Sequence, residues 1–154
     1  MKQMETATAY FLLKQFENLT PHELYAILQL RNEVFVVEQN CVFQDADNKD
    51  QSSLHLMYWK NNELVAYCRL VPPGIAYEEM SIGRVVSSPY HRKSGAGRHL
   101  IAEAIQLIHE QFGSKPIRIG AQCYLIKFYA SFGFVEEGEI YLEDGIEHIE
   151  MVRY

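Results

Sequence analysis

Apolar and polar positions alternate along several short runs of the chain, and this pattern predicts β-strands because successive strand side chains point to opposite faces. Two pairs of runs are joined by Asn61-Asn62 and by Glu143-Asp144-Gly145, which suit the positive φ angles of hairpin turns. The predicted strands are Ala7–Phe16, Leu54–Lys60, Leu64–Val71, Ser81–Ser87, Ile117–Ala121, Phe134–Tyr141 and Ile146–Val152.

Apolar residues at helical spacing predict three helices. They cover residues 20 to about 35, 97–112 and 124–132. Thr20 is suited to cap the first helix, with Pro21 in its first turn and Glu23 at the capping-box position. Gly133 would end the third helix as a left-handed cap. The order β-α-(α or loop)-β-β-β-α-β-α-β-β predicts a mixed α/β sheet with helices on its faces.

Composition narrows the class of protein. A length of 154 residues with 48% hydrophobic residues predicts one globular domain. The net charge of −6 disfavours a nucleic-acid binder. We expect no membrane partner, because no apolar run approaches the ~20 residues of a transmembrane helix. The N-terminal stretch lacks the features of a signal peptide, and the three cysteines are too sparse for a disulfide framework or a zinc ribbon. These features together predict a cytoplasmic protein.

Charged residues are unevenly distributed along the chain. Residues 80–102 contain four basic side chains and no acid, whereas residues 136–150 contain seven acids and no Lys or Arg. The basic stretch predicts either an anionic ligand or a solvated face. The acidic stretch predicts either attraction of a cationic amine or an edge of the fold that is exposed to solvent. A third cluster, Asp45, Asp47 and Asp50, fails the calcium-loop pattern because Lys49 occupies a ligand position, so we predict no metal.

The basic stretch contains a candidate phosphate-binding loop, Arg92-x-x-Gly95-x-Gly97, between a predicted strand and a predicted helix. Glycines allow backbone N–H groups to converge on an anion, and a helix N-terminus adds unpaired donors. The pattern is neither a GxGxxG fingerprint nor a P-loop. Taken alone, it is also compatible with an ordinary glycine-rich turn.

In its setting, this loop resembles the first motif of the GCN5-related N-acetyltransferase (GNAT) family. The stretch from Ala121 to Phe134 resembles the family's second block, and Leu30–Asn40 and Tyr141–Met151 resemble its ElaA-like branch. The resemblance covers nearly the whole chain and implies a single N-acetyltransferase domain over residues 1–154. It also implies a twisted, mostly antiparallel sheet of about seven strands. In the family, helices cover both faces of this sheet, which is splayed between its fourth and fifth strands.

The resemblance further implies acetyl-CoA as cosubstrate. The backbones of Val85, Val86 and Ser87 would run beside its pantetheine arm. The pyrophosphate would be held by the loop residues Arg92, Lys93, Ser94, Gly95, Ala96 and Gly97, together with Arg98. Gln122 stands where the family commonly has Asn, and Leu125 where it has Ala. We expect Gln122 to contact the cofactor, although its longer side chain departs from the family pattern.

Acyl transfer from a thioester needs a proton for the leaving thiolate, and Tyr129 matches the family's tyrosine in the second block. A phenol has an ordinary pKa of about 10 and so carries its proton at neutral pH, which makes Tyr129 the candidate acid. A buried tyrosine that only fills the space between sheet and helix is the alternative. The predicted fourth strand lacks the Glu that serves many family members as general base. The candidate bases are His148, Glu38, His55 and a chain of waters.

The acceptor side of the site is less constrained. Phe35, Glu38, Gln39, Arg84 and His148 are candidate substrate contacts. Arg84 would either bind an acidic group of the substrate or pair with Asp45 or Asp47.

We therefore expect direct transfer of an acetyl group, in a ternary complex, to a primary amine of a small molecule or peptide. A covalent role for Cys123 and a homodimer are further options. Two rival functions are a non-catalytic acyl-CoA-binding module and an acyl-homoserine-lactone synthase. The second is suggested by a faint similarity of Arg31, Phe35, Asp45 and Arg69 to the residue pattern of those synthases.

Overall fold

A computed structural model describes residues 8–154, and in this part of the chain seven strands form two antiparallel sheets. The strands are β1 (Ala9–Gln15), β2 (Leu54–Lys60), β3 (Glu63–Val71), β4 (Ser81–Ser87), β5 (Ile117–Gln122), β6 (Val135–Glu143) and β7 (Ile146–Arg153). All seven predicted strands are present. The predicted start of the first, Ala7, lies outside the described residues.

The two sheets meet where β4 approaches β5. One sheet has the strand order β1-β2-β3-β4 and the other β5-β7-β6. Met80 and Ile117 form a single parallel bridge between them, and the Arg118 N–H donates to the Met80 carbonyl at 2.9 Å. Beyond this bridge β4 and β5 form no ladder. The expected splay between the fourth and fifth strands is therefore confirmed.

Helices cover both faces of the larger sheet. They are α1 (Pro21–Arg31), α2 (Ala96–Phe112) and α3 (Ile126–Ala130). Because neighbouring residues of a strand point to opposite faces, Met57 packs with α1 while Leu56 packs with α2 and α3. On β3, Tyr67 likewise packs on the α1 side of the sheet and Cys68 on the α2 side. No helix within residues 8–154 has the length and apolar character needed to cross a membrane.

The first helix begins as predicted. The Glu23 N–H donates to Thr20 Oγ1 at 3.1 Å, and Glu23 Oε1 accepts from the Thr20 N–H at 2.8 Å. After Arg31 the chain continues as a π-helical segment, Asn32–Glu38, in which the Gln39 N–H donates to Val34 O. These wider turns extend the helix past its predicted end.

The predicted turns are also confirmed. Asn61 and Asn62 have φ angles of +50° and +63°, and Asp144 and Gly145 have +52° and +77°, as a type I′ hairpin turn requires. The third predicted helix is split into a 3₁₀ turn, Cys123–Leu125, and α3. Gly133 follows with φ +93°.

Candidate active site

The divergence of β4 and β5 opens a cleft of about 1100 Å³. Most of the sequence-predicted site residues line it. These are Phe35, Glu38, Gln39, Arg84, Val85, Val86, Ser87, Arg92, Gly97, Gln122, Tyr129 and His148. The remaining candidates, Lys93, Ser94, Gly95, Ala96 and Arg98, belong to the loop and first turn of α2 beside the cleft. The fold thus brings residues from distant parts of the sequence to one place.

The candidate phosphate-binding loop, Arg92–Gly97, joins the end of the β4 region to α2. Gly95 has φ +83° at the N-cap of α2, and no side chain caps the helix. The first turn of α2 contains no acid, so its unpaired N–H groups and the helix dipole favour an anion. A Cβ on Gly97 would lie 3.1 Å from Ser87 Oγ, so glycine allows the helix to begin close to β4.

Side chains of the basic stretch have different partners. Arg92 forms a bidentate ion pair with Glu38, with Nη1 2.9 Å from Oε2. Arg98 instead lies over the rings of Phe128 and Phe132 and donates to the Ser131 hydroxyl at 3.3 Å. Ala96 is buried, so only its backbone faces a ligand.

Tyr129 lines the cleft with a buried ring that packs edge-on against Phe134. Within residues 8–154 its side chain makes ring contacts with Phe128 and Phe134, and its hydroxyl forms no hydrogen bond. Burial raises the pKa of Tyr129 well above its usual value. The phenol therefore carries its proton at neutral pH.

The three candidate bases have different environments. His148 lines the cleft, and its Nδ1 lies 2.8 Å from the Ile146 carbonyl. Since a carbonyl only accepts, Nδ1 carries a hydrogen, and Nε2 lies 3.6 Å from Glu143 Oε2. His55 is buried below the cleft, with both ring nitrogens engaged. Glu38 is held by Arg92.

Residues 38–41 connect the two sides of the cleft. Besides the ion pair of Glu38 with Arg92, the amides of Gln39 and Gln122 approach each other at 3.4–3.5 Å. Cys41 Sγ donates to the Asp144 carbonyl at 3.0 Å. Gln122 thus points into the cleft, where its amide pairs with that of Gln39.

A buried charge network forms the wall beside β4. Its members are Arg31, Arg69, Arg84, Asp45, Asp47 and Asp50. Arg84 Nε donates to Asp45 Oδ1 at 2.9 Å, so of the two alternatives given for Arg84 the structure shows the pairing with Asp45. Burial opposes ionisation of Asp50, but hydrogen bonds from Arg31 and Arg69 outweigh it and lower the pKa of Asp50. Within residues 8–154, no group of His, Cys, Asp or Glu side chains is arranged to hold a metal.

Two tyrosines beside the cleft were missed by the sequence analysis: Tyr77 lines the cleft, and Tyr141 contacts two residues that line it, Gly120 and His148. The hydroxyls of Tyr77 and Tyr141 cover Gly120 of β5, where a Cβ would lie 2.9 Å and 2.7 Å from them. Tyr141 also stacks on His148, with ring centroids 5.7 Å apart. Glycine inside a strand often marks such a close approach, and this was the available signal. No pattern indicated Tyr77, which lies in the loop before β4.

The comparisons with known proteins agree with this architecture. A family model described as an acetyltransferase (GNAT) domain matches residues 17–154. Protein ElaA of Escherichia coli K12 is 44% identical over 137 residues, which cover 88% of this chain and 90% of ElaA.

Solved structures show the same similarity. The crystal structure of Escherichia coli ElaA has a TM-score of 0.89 at 40% identity and covers 96% of this chain and 100% of that chain. An acyl-CoA N-acyltransferase from Pseudomonas aeruginosa has a TM-score of 0.88 at 43% identity, covering 94% and 99%. A GNAT acetyltransferase from Elizabethkingia anophelis, solved with acetyl-CoA bound, shares the fold with a TM-score of 0.64 at 17% identity, covering 94% and 97%.

Proposed function

The chain belongs to the GNAT family of acyltransferases, in its ElaA-like branch, and from that premise we propose that it acetylates a primary amine with acetyl-CoA. Transfer is direct, within a ternary complex of enzyme, acetyl-CoA and amine. The observation that carries the proposal is the continuity of the cleft with the uncapped N-terminus of α2. A thioester and an anionic pyrophosphate can therefore be bound by adjoining parts of one surface.

The donor half of the cleft supports acetyl-CoA in three ways. At Val85–Ser87, β4 pairs only with β3 and is the edge of its sheet, so its other side can offer backbone hydrogen bonds to the amides of the pantetheine arm. The glycines and free N–H groups of residues 92–97 suit the pyrophosphate, with Arg92 adding positive charge once it leaves Glu38. Gln122 turns its amide from Gln39 toward the cosubstrate.

The reacting groups are supplied by two strands, β4 and β7, and the helix α3. His148 Nε2 accepts a proton from the attacking amine, directly or through water. A backbone N–H of β4 stabilises the negative charge that develops on the thioester oxygen. As the new N–C bond forms and the C–S bond breaks, the Tyr129 hydroxyl donates its proton to the leaving thiolate. The products are an N-acetyl compound and CoA.

The acceptor enters from the side formed by Phe35, Gln39, Tyr77 and the β6–β7 hairpin. Glu38 becomes available to a cationic acceptor when Arg92 turns to the pyrophosphate. Arg84 does not serve as an acceptor contact in this proposal, because Asp45 and Asp47 already bind its guanidinium. Small-molecule and peptide amines both fit this description.

The test is release of free CoA thiol from acetyl-CoA in the presence of a panel of primary amines, with mass spectrometry of each product. We expect one amine class to give stoichiometric N-acetylation and CoA. Tight acetyl-CoA binding without turnover for any amine would instead support the rival function, a non-catalytic acyl-CoA-binding module. Thiol release that is equal with and without amine would indicate hydrolysis and contradict the proposed acceptor.

A further inference from the structure

Strand β4 carries a β-bulge at the point where it lines the cleft. Tyr67 pairs with Val86 and Arg69 with Gly83, so one residue of β3 lies opposite two residues of β4, Arg84 and Val85. Such a bulge leaves backbone groups without ladder partners and redirects the strand. Both bulged residues, Arg84 and Val85, line the cleft.

Arg84 holds this bulge in an unusual conformation. Its φ of +50° is in the left-handed region, which a non-glycine residue adopts only when its surroundings impose it. The surroundings are supplied by Asp45. Arg84 Nε donates to Asp45 Oδ1 at 2.9 Å, and Nη2 donates to the Asp45 carbonyl at 3.1 Å.

Asp45 is itself fixed from the opposite side. Its Oδ2 accepts from Arg31 Nε at 2.8 Å, and its carbonyl accepts from Arg31 Nη2 at 3.2 Å. Arg31 is completely buried at the end of α1. A continuous set of charged hydrogen bonds thus runs from the helix, through Asp45, to the side chain of the bulged residue.

We propose that Arg84 and Asp45 are positioning residues for acyl transfer: they hold the β4 bulge so that its free backbone N–H points at the thioester carbonyl. The inference rests on the proposed function and assigns a purpose to a buried charge network that the donor and acceptor contacts do not use. A donor displaced by even about 1 Å loses much of its effect on the transition state. This explains why a left-handed arginine, rather than a glycine, occupies the bulge.

The test compares the wild type with Arg84→Gly and Arg84→Asn. Both replacements tolerate a positive φ, but neither reaches Asp45, so the bulge remains possible while its clamp is lost. The readout is the carbonyl stretch of acetyl-CoA labelled with carbon-13 at the thioester carbonyl, measured on the bound cosubstrate by infrared difference spectroscopy. Calorimetry gives the dissociation constant of each variant, and thermal unfolding shows that it is folded. If Arg84→Gly does not fold, the comparison is made with Arg84→Asn alone.

In the wild type we expect the bound carbonyl band to lie below that of free acetyl-CoA, because a hydrogen bond polarises the carbonyl. In Arg84→Gly and Arg84→Asn the band should return most of the way to its free position with little change in affinity, and kcat should fall by about tenfold to a hundredfold. Arg84→Lys, which keeps one charged donor, should recover part of the band shift.

Equal band positions in the wild type and a folded Gly or Asn variant would overturn the proposal. So would an unchanged kcat with a raised KM for the amine, since Arg84 would then be an acceptor contact. Failure of the proposed function has a separate signature, namely a wild-type protein that does not bind acetyl-CoA at all.

Discussion

Arg92 and Glu38 form an ion pair that joins the phosphate-binding loop to the end of the π-helical segment, with Arg92 Nη1 2.9 Å from Glu38 Oε2. One is the main basic candidate for the pyrophosphate, and the other is a candidate contact for the amine. While they are paired, neither is free for its ligand. Binding of acetyl-CoA at Arg92 should therefore release Glu38 on the acceptor side.

Glu38→Gln should strengthen acetyl-CoA binding, because Arg92 no longer has to leave a carboxylate. A partly exposed ion pair contributes about 0.2–1 kcal/mol, so the dissociation constant from calorimetry should fall by up to about fivefold. Glu33→Gln removes a carboxylate from the same segment, and Glu33 makes no ion pair within residues 8–154. It should leave the affinity unchanged. Weaker binding by Glu38→Gln would show that Glu38 assists the cosubstrate rather than competing with it.

Tyr129→Phe should reduce kcat by about a hundredfold or more, the usual effect of losing a general acid. The melting temperature and acetyl-CoA affinity should change little, because the ring packing remains and the hydroxyl has no partner among the described residues. Tyr25→Phe, at an exposed position of α1, is the matched control in steady-state assays. Full activity of Tyr129→Phe would show that Tyr129 only packs in the core and is not the general acid.

His148→Gln should lower kcat by about a hundredfold, since it removes the base while keeping a group that can donate to the Ile146 carbonyl. Acetyl-CoA affinity, measured by calorimetry, should be retained. The control is His22→Gln on the exposed side of α1. If His148→Gln retains wild-type kcat, proton removal must be assigned to Glu38 or to water.

Acidification should destabilise the protein through His55. Burial, with Arg31 and Arg69 nearby, lowers the pKa of His55 despite its hydrogen bond to the Asp50 carbonyl. The unfolded chain therefore binds the proton more readily, so stability is retained above the ordinary pKa of about 6.5 and is lost as the pH falls below it. Urea unfolding at pH 7.5 and at pH 5 measures this loss. His55→Gln keeps a donor and an acceptor and should flatten the dependence. An undiminished pH slope in this variant would contradict the assignment.

Local sequence patterns were sufficient to predict the strands, the hairpin turns and the start of α1, because each depends on neighbouring residues. Thr20 and Glu23 are three positions apart and form a capping box. Asn61 and Asn62 are neighbours and both adopt the positive φ angles that their hairpin turn requires. The position of the candidate phosphate-binding loop between β4 and α2 was also predictable, since its glycines and basic side chains are consecutive.

The arrangement of residues on the acceptor side could not be predicted from the sequence, because it depends on contacts between residues far apart along the chain. Arg31 and Asp45 are 14 positions apart and Arg84 is 39 positions from Asp45, so charge pairing alone did not reveal a single buried network. Gly83 directly precedes the bulge in β4, and a glycine inside a strand often marks one, but nothing in the sequence indicated that Arg84 would adopt the left-handed conformation. The pair of Glu38 with Arg92 spans 54 positions and depends on the π-helical extension of α1.

The central claim is that the cleft and residues 92–97 bind acetyl-CoA, and thermal unfolding with and without acetyl-CoA tests it most directly. At about 100 times its dissociation constant a ligand adds about 2.7 kcal/mol of stability. For a chain of this size the melting temperature should then rise by roughly 5–10 °C. The double variant Arg92→Glu, Gly95→Asp should fold but lose the rise, since it places two carboxylates at the N-terminus of α2. No rise in the folded wild type at saturating acetyl-CoA would contradict the account.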